Sequence, residues 1–139
     1  MENDNRLECY KKLIEAYNCF NTMQYNNAAS ILKNILKDIE ELYKQSPYFD
    51  YYRRRMEYNR LIPKNSKSMQ KRFVEWFHKA MFNISKNHYI DSYSYIRDMK
   101  TILEKLKNNI IEFDNGRIAF RMNIETGYME ELNDNNRTS

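Results

Sequence analysis

"AYNCFNTMQYNNAAS", residues 16–30, sets five Asn and Gln residues between two apolar segments. Upstream, Leu7, Tyr10, Ile14 and Tyr17 follow i, i+3, i+7, i+10 spacing, and Leu13, Ala16 and Phe20 widen that stripe. Downstream, Ala28, Ile31/Leu32, Ile35, Ile39 and Leu42 repeat the helical period as far as about Gln45. Both flanks therefore read as amphipathic helices. The amides between them suit a tight corner, where they satisfy the last carbonyls of one helix and the first N–H groups of the next, with Asn26 or Asn27 as the expected cap.

The rest of the chain extends this reading. Ser46 is placed to cap a third helix with Pro47 at its first position. That helix is expected to reach Ile62, where Pro63 stops it. Its expected buried stripe is Tyr48, Tyr52 and Met56, with the Arg55 stem snorkelling alongside. "PKNSKS" is a loop. A fourth helix starts near Ser68 and carries Met69, Phe73, Trp76/Phe77, Ala80 and Ile84. A fifth carries Ile96, Met99, Leu103, Leu106 and Ile110 in 3-4-3-4 spacing, a short coiled-coil-like seam.

After it the period changes. An Asn-Gly turn separates "IIEF" from "IAFRMN", and "ETG" precedes "YMEEL", which predicts a β-meander over about 110–132. Ile118, Phe120 and Met122 are expected to cover an end of the helices, with Ala119 and Arg121 on the other face. Glu130 and Glu131 on the last strand discourage pairing with another sheet. Residues 133–139 are expected to be a disordered tail. The fold expected is a mostly α (α+β) single domain over 1–139, a five-helix hairpin bundle (about 5–109) closed by a small C-terminal β-meander.

A shift of 64 residues superposes two parts of the chain. Ala16 falls on Ala80, Tyr25 on Tyr89, Ala28 on Ser92, Ile35 on Met99, Ile39 on Leu103 and Leu42 on Leu106. A small residue, an aromatic nine positions later and a second small residue three beyond it resemble a tetratricopeptide-type helical hairpin. The resemblance covers roughly 10–43 and 74–107, and it implies antiparallel helices brought close by the small residues, with the Tyr packed at the corner. The two copies do not abut, since the third helix and the Pro63 loop intervene.

Composition narrows the functional classes. With 42% hydrophobic and 30% charged residues the chain has the balance of a globular protein. No run approaches a membrane span and "MENDNRLECY" has no signal-peptide apolar region, so a cytoplasmic address is expected. Cys9 and Cys19 on one helix would point about 80° apart and about 15 Å along its axis, which favours two reduced thiols over a disulfide. Gly116 and Gly127 are the only glycines, which leaves no phosphate-cradling loop. Two His and two distant Cys give no metal-ligand spacing, so neither metal nor cofactor is expected.

Charge is concentrated. The +4 net charge arises from residues 44–72, which hold nine basic and two acidic residues. Within them "YFDYYRRRMEYNR" interleaves cations with aromatic rings, and Arg53, Arg54, Arg60, Lys64, Tyr51 and Tyr58 are the candidate contact residues. Bidentate Arg pairing suits a protein partner with an acidic surface, and the same groups suit phosphates and stacked bases. Consecutive arginines fan through about 200° on a helix, so they cannot all enter one groove.

"RFVEWFH" places Arg72 six residues before His78. The arrangement is similar in outline to HEPN-type ribonucleases, helical bundles with an Arg-x(4–6)-His motif. That resemblance implies a dimer in which His78 would act as general acid/base and Arg72 would stabilise phosphorane charge. Here Phe73 stands where a polar residue often follows the Arg, a straight helix sets the two about 120° apart, and His78 also reads as half-buried beside the core.

The leading expectation is a small non-catalytic helical interaction protein, monomer or homodimer. It would bind a protein partner through helix faces and the Arg-rich helix, as a regulator or inhibitor from a mobile element or phage would. Nucleic-acid binding and the HEPN-like ribonuclease are the alternatives.

Overall fold

The computed structural model describes residues 3–56, 61–114 and 116–132. It comprises α1 (Asn3–Asn21), α2 (Tyr25–Leu42), α3 (Pro47–Met56), α4 (Ser66–Ser85) and α5 (Tyr89–Leu106). A 3₁₀ turn (Lys107–Asn109) leads into β1 (Ile110–Asp114), β2 (Ala119–Asn123) and β3 (Met129–Leu132), an antiparallel sheet in the order β1-β2-β3. This is the expected mostly α bundle with a C-terminal meander. The hairpin α1–α2 packs on the hairpin α4–α5, α2 along α5 and α1 along α4. Residues from all five helices join one buried cluster.

The two corners share one backbone geometry. Gln24 N–H donates to the Cys19 carbonyl at 2.8 Å and Met23 N–H to Phe20 at 3.1 Å. Sixty-four residues on, His88 N–H donates to Asn83 at 2.8 Å and Asn87 N–H to Ile84 at 2.9 Å. Met23 and Asn87 take the left-handed φ, 56° and 61°, that this Schellman closure requires. The small residues meet as the repeat implies: Ala16, Ala28, Ala80 and Ser92 are fully buried, and Ser92 Oγ–H donates to the Ala80 carbonyl at 2.9 Å.

Several local expectations are corrected. Asn26 and Asn27 do not cap α2; they lie exposed in its first turn, because the Schellman closure already makes Gln24 the N-cap. Asn27 instead donates to Gln24 Oε1 at 2.9 Å. On α1 the core face is Cys9, Leu13, Ala16 and Phe20, while Leu7 and Ile14 are exposed, so the stripe is rotated from the one centred on Ile14. Helix α4 begins at Ser66 rather than Ser68, because the Asn65 side chain accepts from Ser68 N–H at 2.8 Å. Ile110 opens β1 rather than continuing the seam of α5, whose Ile96, Met99, Leu103 and Leu106 are buried as expected.

Helix α3 differs most among the helices. Ser46 Oγ caps it by accepting from Phe49 N–H at 3.2 Å. Its anchor is Phe49, buried edge-on against Tyr93 with ring centroids 5.1 Å apart, whereas Tyr48 and Tyr52 are exposed. The predicted Tyr48/Tyr52 stripe is therefore the outer face, because one ring already fills the gap beside α5. The expected extension to Ile62 does not form at Leu61–Pro63, which adopt no helix, as the conformational bias before a proline dictates; residues 57–60 lie outside the described residues, as does the expected tail.

The sheet is turned over relative to expectation. Ala119, Arg121 and Asn123 face the helices and are buried. Phe120 and Met122 lie on the outer face with Ile111, Phe113 and Met129, each of these last three more than 40% exposed. The reason is polar anchoring. Arg121 reaches the Thr22 carbonyl at 3.3 Å with Nη1, tying the sheet to the first corner. Asn123 Oδ1 accepts from the N–H groups of Glu125 (2.9 Å) and Thr126 (3.0 Å) and so shapes the β2–β3 turn. That turn in turn delivers Glu125 to the start of α4, where it accepts from Ser66 N–H at 2.8 Å and Ser66 Oγ–H at 2.7 Å. A carboxylate at a helix N-terminus satisfies donors that the helix itself leaves open.

Candidate functional site

The described candidates of the Arg-rich segment divide between contacts with the fold and exposure to solvent. Arg53 is drawn toward the fold: Nη2 lies 3.4 Å from Asp50 Oδ1 and Nη1 3.9 Å from Glu40 Oε1. Glu40 also accepts from the Tyr93 hydroxyl at 2.6 Å, and burial together with this carboxylate pushes the Tyr93 phenol up to about 12. Arg97 donates to the Arg53 carbonyl at 3.3 Å. Arg54, Tyr51 and Lys64 are exposed, whereas Tyr58 and Arg60 lie outside the described residues. Of the candidates Arg53, Arg60 and Lys64, only Arg53 lies on α3 as described, and Lys64 belongs to the loop that precedes α4.

What α3 does present is a tyrosine cluster. Tyr48 O–H donates to the Tyr52 hydroxyl at 2.9 Å, and the Tyr51 ring stands edge-on to Tyr52 with centroids 5.9 Å apart. Tyr48 and Tyr52 roof a hollow of about 270 Å³ whose other walls include Tyr43, Tyr89 and Asp91. The second corner forms its base, since Asn87 and His88 also line it.

A larger cleft of about 620 Å³ lies at the first corner, between α1, α4 and the β2–β3 turn. Phe20, Met23 and Val74 provide apolar lining, and Phe20 stacks on Phe73 with centroids 4.0 Å apart. Lys67, Lys71 and Gln70 line the α4 side, and Tyr128 the turn side. Gln70 Nε2 reaches the Tyr25 hydroxyl at 3.4 Å, and burial raises the Tyr25 phenol above its ordinary value. Both lysines are exposed, and among the described residues no carboxylate pairs with either. Sequence reasoning missed this cleft. The available signal was Lys67, Lys71 and Val74 at i, i+4, i+7, a stripe opposite the aromatic face of α4.

Arg72 and His78 do not converge. Six residues on one α-helix separate them by about 9 Å along the axis and about 120° around it. Arg72 Nη1 sits 3.4 Å from Glu75, while His78 is exposed, edge-on to Phe77, rather than half-buried. Cys9 is buried and Cys19 half-buried, both free, and burial raises both thiols. Among the described residues no group of three or more His, Cys, Asp or Glu is placed to hold a metal ion, and no helix is long and apolar enough to cross a membrane.

No protein-family model matches the chain, and neither a curated protein nor a solved structure shows significant similarity to it. The likeness to tetratricopeptide hairpins therefore rests on the sequence positions of the internal repeat alone.

Proposed function

We propose that the chain is a small non-catalytic interaction protein that engages a protein partner through α3. One observation carries this reading. Helix α3 is secured by Phe49, yet it turns Tyr48, Tyr51, Tyr52 and Arg54 to solvent. The hydrophobic core does not need these side chains, and Tyr and Arg are the residue types that dominate interface hot spots. Arg54 and Lys64 favour carboxylates on the partner.

The test is affinity capture from a lysate of the source cells, with wild type beside Tyr51→Ala/Arg54→Glu. A stoichiometric protein retained by wild type and lost by the double variant is the expected result. Equal retention by both, or no retained protein, overturns the reading. A second reading, nucleic-acid binding, is favoured by the exposed cations Arg54 and Lys64. It requires an affinity for oligonucleotides that falls steeply between 50 and 200 mM salt, and a flat gel-shift series removes it.

A further inference from the structure

We infer that the cleft at the first corner is a second docking site, specific for a short acidic–apolar segment of a protein partner. One apolar side chain of that segment sits on Phe20, Met23 and Val74, and flanking carboxylates pair with Lys67 and Lys71. The inference rests on the protein-binding reading above and names the chemistry of a contact outside α3.

Three observations carry it. First, at about 620 Å³ the cleft falls in the size range of binding pockets, and Phe20, Met23, Val74 and two tyrosines share its lining with five polar residues. Second, its charge is one-sided: two ammonium groups one helical turn apart, both exposed and neither paired with a carboxylate among the described residues. Glu130, the carboxylate that acts on Tyr25, stands opposite Arg121 in the β2–β3 register and is not in the lining. An acidic segment gains attraction there without displacing an ion pair among the described residues. Third, the apolar lining selects against a polyanion. Phosphodiester chains require a continuous basic track, and α3 packs on α5 rather than along the cleft, so Arg53 and Arg54 do not prolong the pair of lysines. The lysine spacing of about 6 Å along the axis matches carboxylates two to four residues apart on an extended or helical segment.

The experiment uses the full chain with ¹³C-methyl-labelled Met and ¹⁵N amides, titrated with a 12-residue peptide bearing a central Leu between Glu pairs. Its Lys-for-Glu counterpart and a 12-nucleotide oligo-dT serve as comparators. The Glu peptide is expected to shift the Met23 methyl and the amides of Lys67, Lys71 and Tyr128. Lys67→Glu/Lys71→Glu is expected to weaken it at least about tenfold, with unchanged circular dichroism because both side chains are exposed. Absence of binding at millimolar peptide, indifference to the double charge reversal, or equal binding of the Lys peptide overturns the inference. Shifts confined to Tyr51 and Arg54 overturn it while leaving the protein-binding reading intact. Tighter binding of oligo-dT at the same amides reassigns the cleft to nucleic acid. Concentration-dependent shifts at the cleft without peptide assign it to a second copy of the chain.

Discussion

Arg121 is 1% exposed and donates through Nε to Glu112 Oε1 at 2.6 Å, directly across the β1–β2 ladder. The pair is lopsided, since the Glu112 side chain is 48% exposed and its partner is enclosed. Removing Glu112 leaves Arg121 with the Thr22 carbonyl and with Glu130 opposite it on β3, whereas removing Arg121 takes the cation away from both carboxylates, of which Glu130 is half-buried. Arg121→Met, which keeps the volume, is therefore expected to cost about 1–3 kcal/mol, and Glu112→Ala to cost less. Urea unfolding of both variants checks the order, and the reverse order contradicts this account.

Met23 and Asn87 occupy equivalent left-handed positions in unequal surroundings, for Met23 is buried and Asn87 is exposed. Asn87→Gly relieves backbone strain and loses no packing, so it should be neutral or stabilising by up to about 1 kcal/mol. Met23→Gly relieves the same strain but empties a core site, at a net cost of about 2 kcal/mol. Thermal melts showing the same sign for both would contradict the corner assignment.

Glu125 is held below the ordinary carboxylate value, about 4.5, chiefly by the hydrogen bond from the Ser66 hydroxyl and then by that from the Ser66 N–H. A depressed folded-state value stabilises the fold above the unfolded value, and that contribution is lost as pH falls through the folded one. The melting temperature of wild type should therefore decline below pH 4.5 more steeply than that of Glu125→Gln. Parallel curves from pH 6 to pH 3 would show that the carboxylate is not the group that holds α4.

Tyr93 carries the opposite sign. Its phenol is raised to about 12, first by burial and then by its bond to Glu40. Its contribution is full below the ordinary value of about 10 and is lost as pH rises toward 12. Absorbance titration at 295 nm should place one of the last tyrosine ionisations on Tyr93, and Tyr93→Phe should remove that step. An unchanged alkaline limb would refute the assignment.

The helices were legible because 3.6-residue periodicity records burial along a single element. Ile96, Met99, Leu103 and Leu106 announce the inner face of α5 wherever α5 packs. The repeat was legible for the same reason, since Ala16 and Ala80 recur with Tyr25 and Tyr89 at fixed offsets. The sheet face was not. Period-2 alternation separates Phe120 and Met122 from Arg121 and Asn123, but it does not say which set turns inward. That choice was made by Glu112 on the neighbouring strand and by the Thr22 carbonyl, 99 residues away in sequence. Helix starts show the same limit: Asn65 could be read as a local cap for α4, but Glu125, arriving from 59 residues downstream, could not. The cleft needed three separate segments, and only its α4 stripe left a trace in sequence. Tyr51 and Arg54, candidates from the sequence, lie exposed, whereas Arg53 turns toward Asp50 and Glu40.

The pairing of α1 with α4 and of α2 with α5 also bears on how fast the chain assembles. Each hairpin can close through local contacts, but the interface between hairpins joins residues about 64 positions apart, with α3 and the Pro63 loop in between. Loop closure across that distance must precede the burial that rewards it, and rates fall as contacts become less local. Folding should therefore be slower than in an up-and-down bundle of equal length, with hairpin docking as the rate-limiting step. Shortening the α3 segment should speed refolding more than it alters stability.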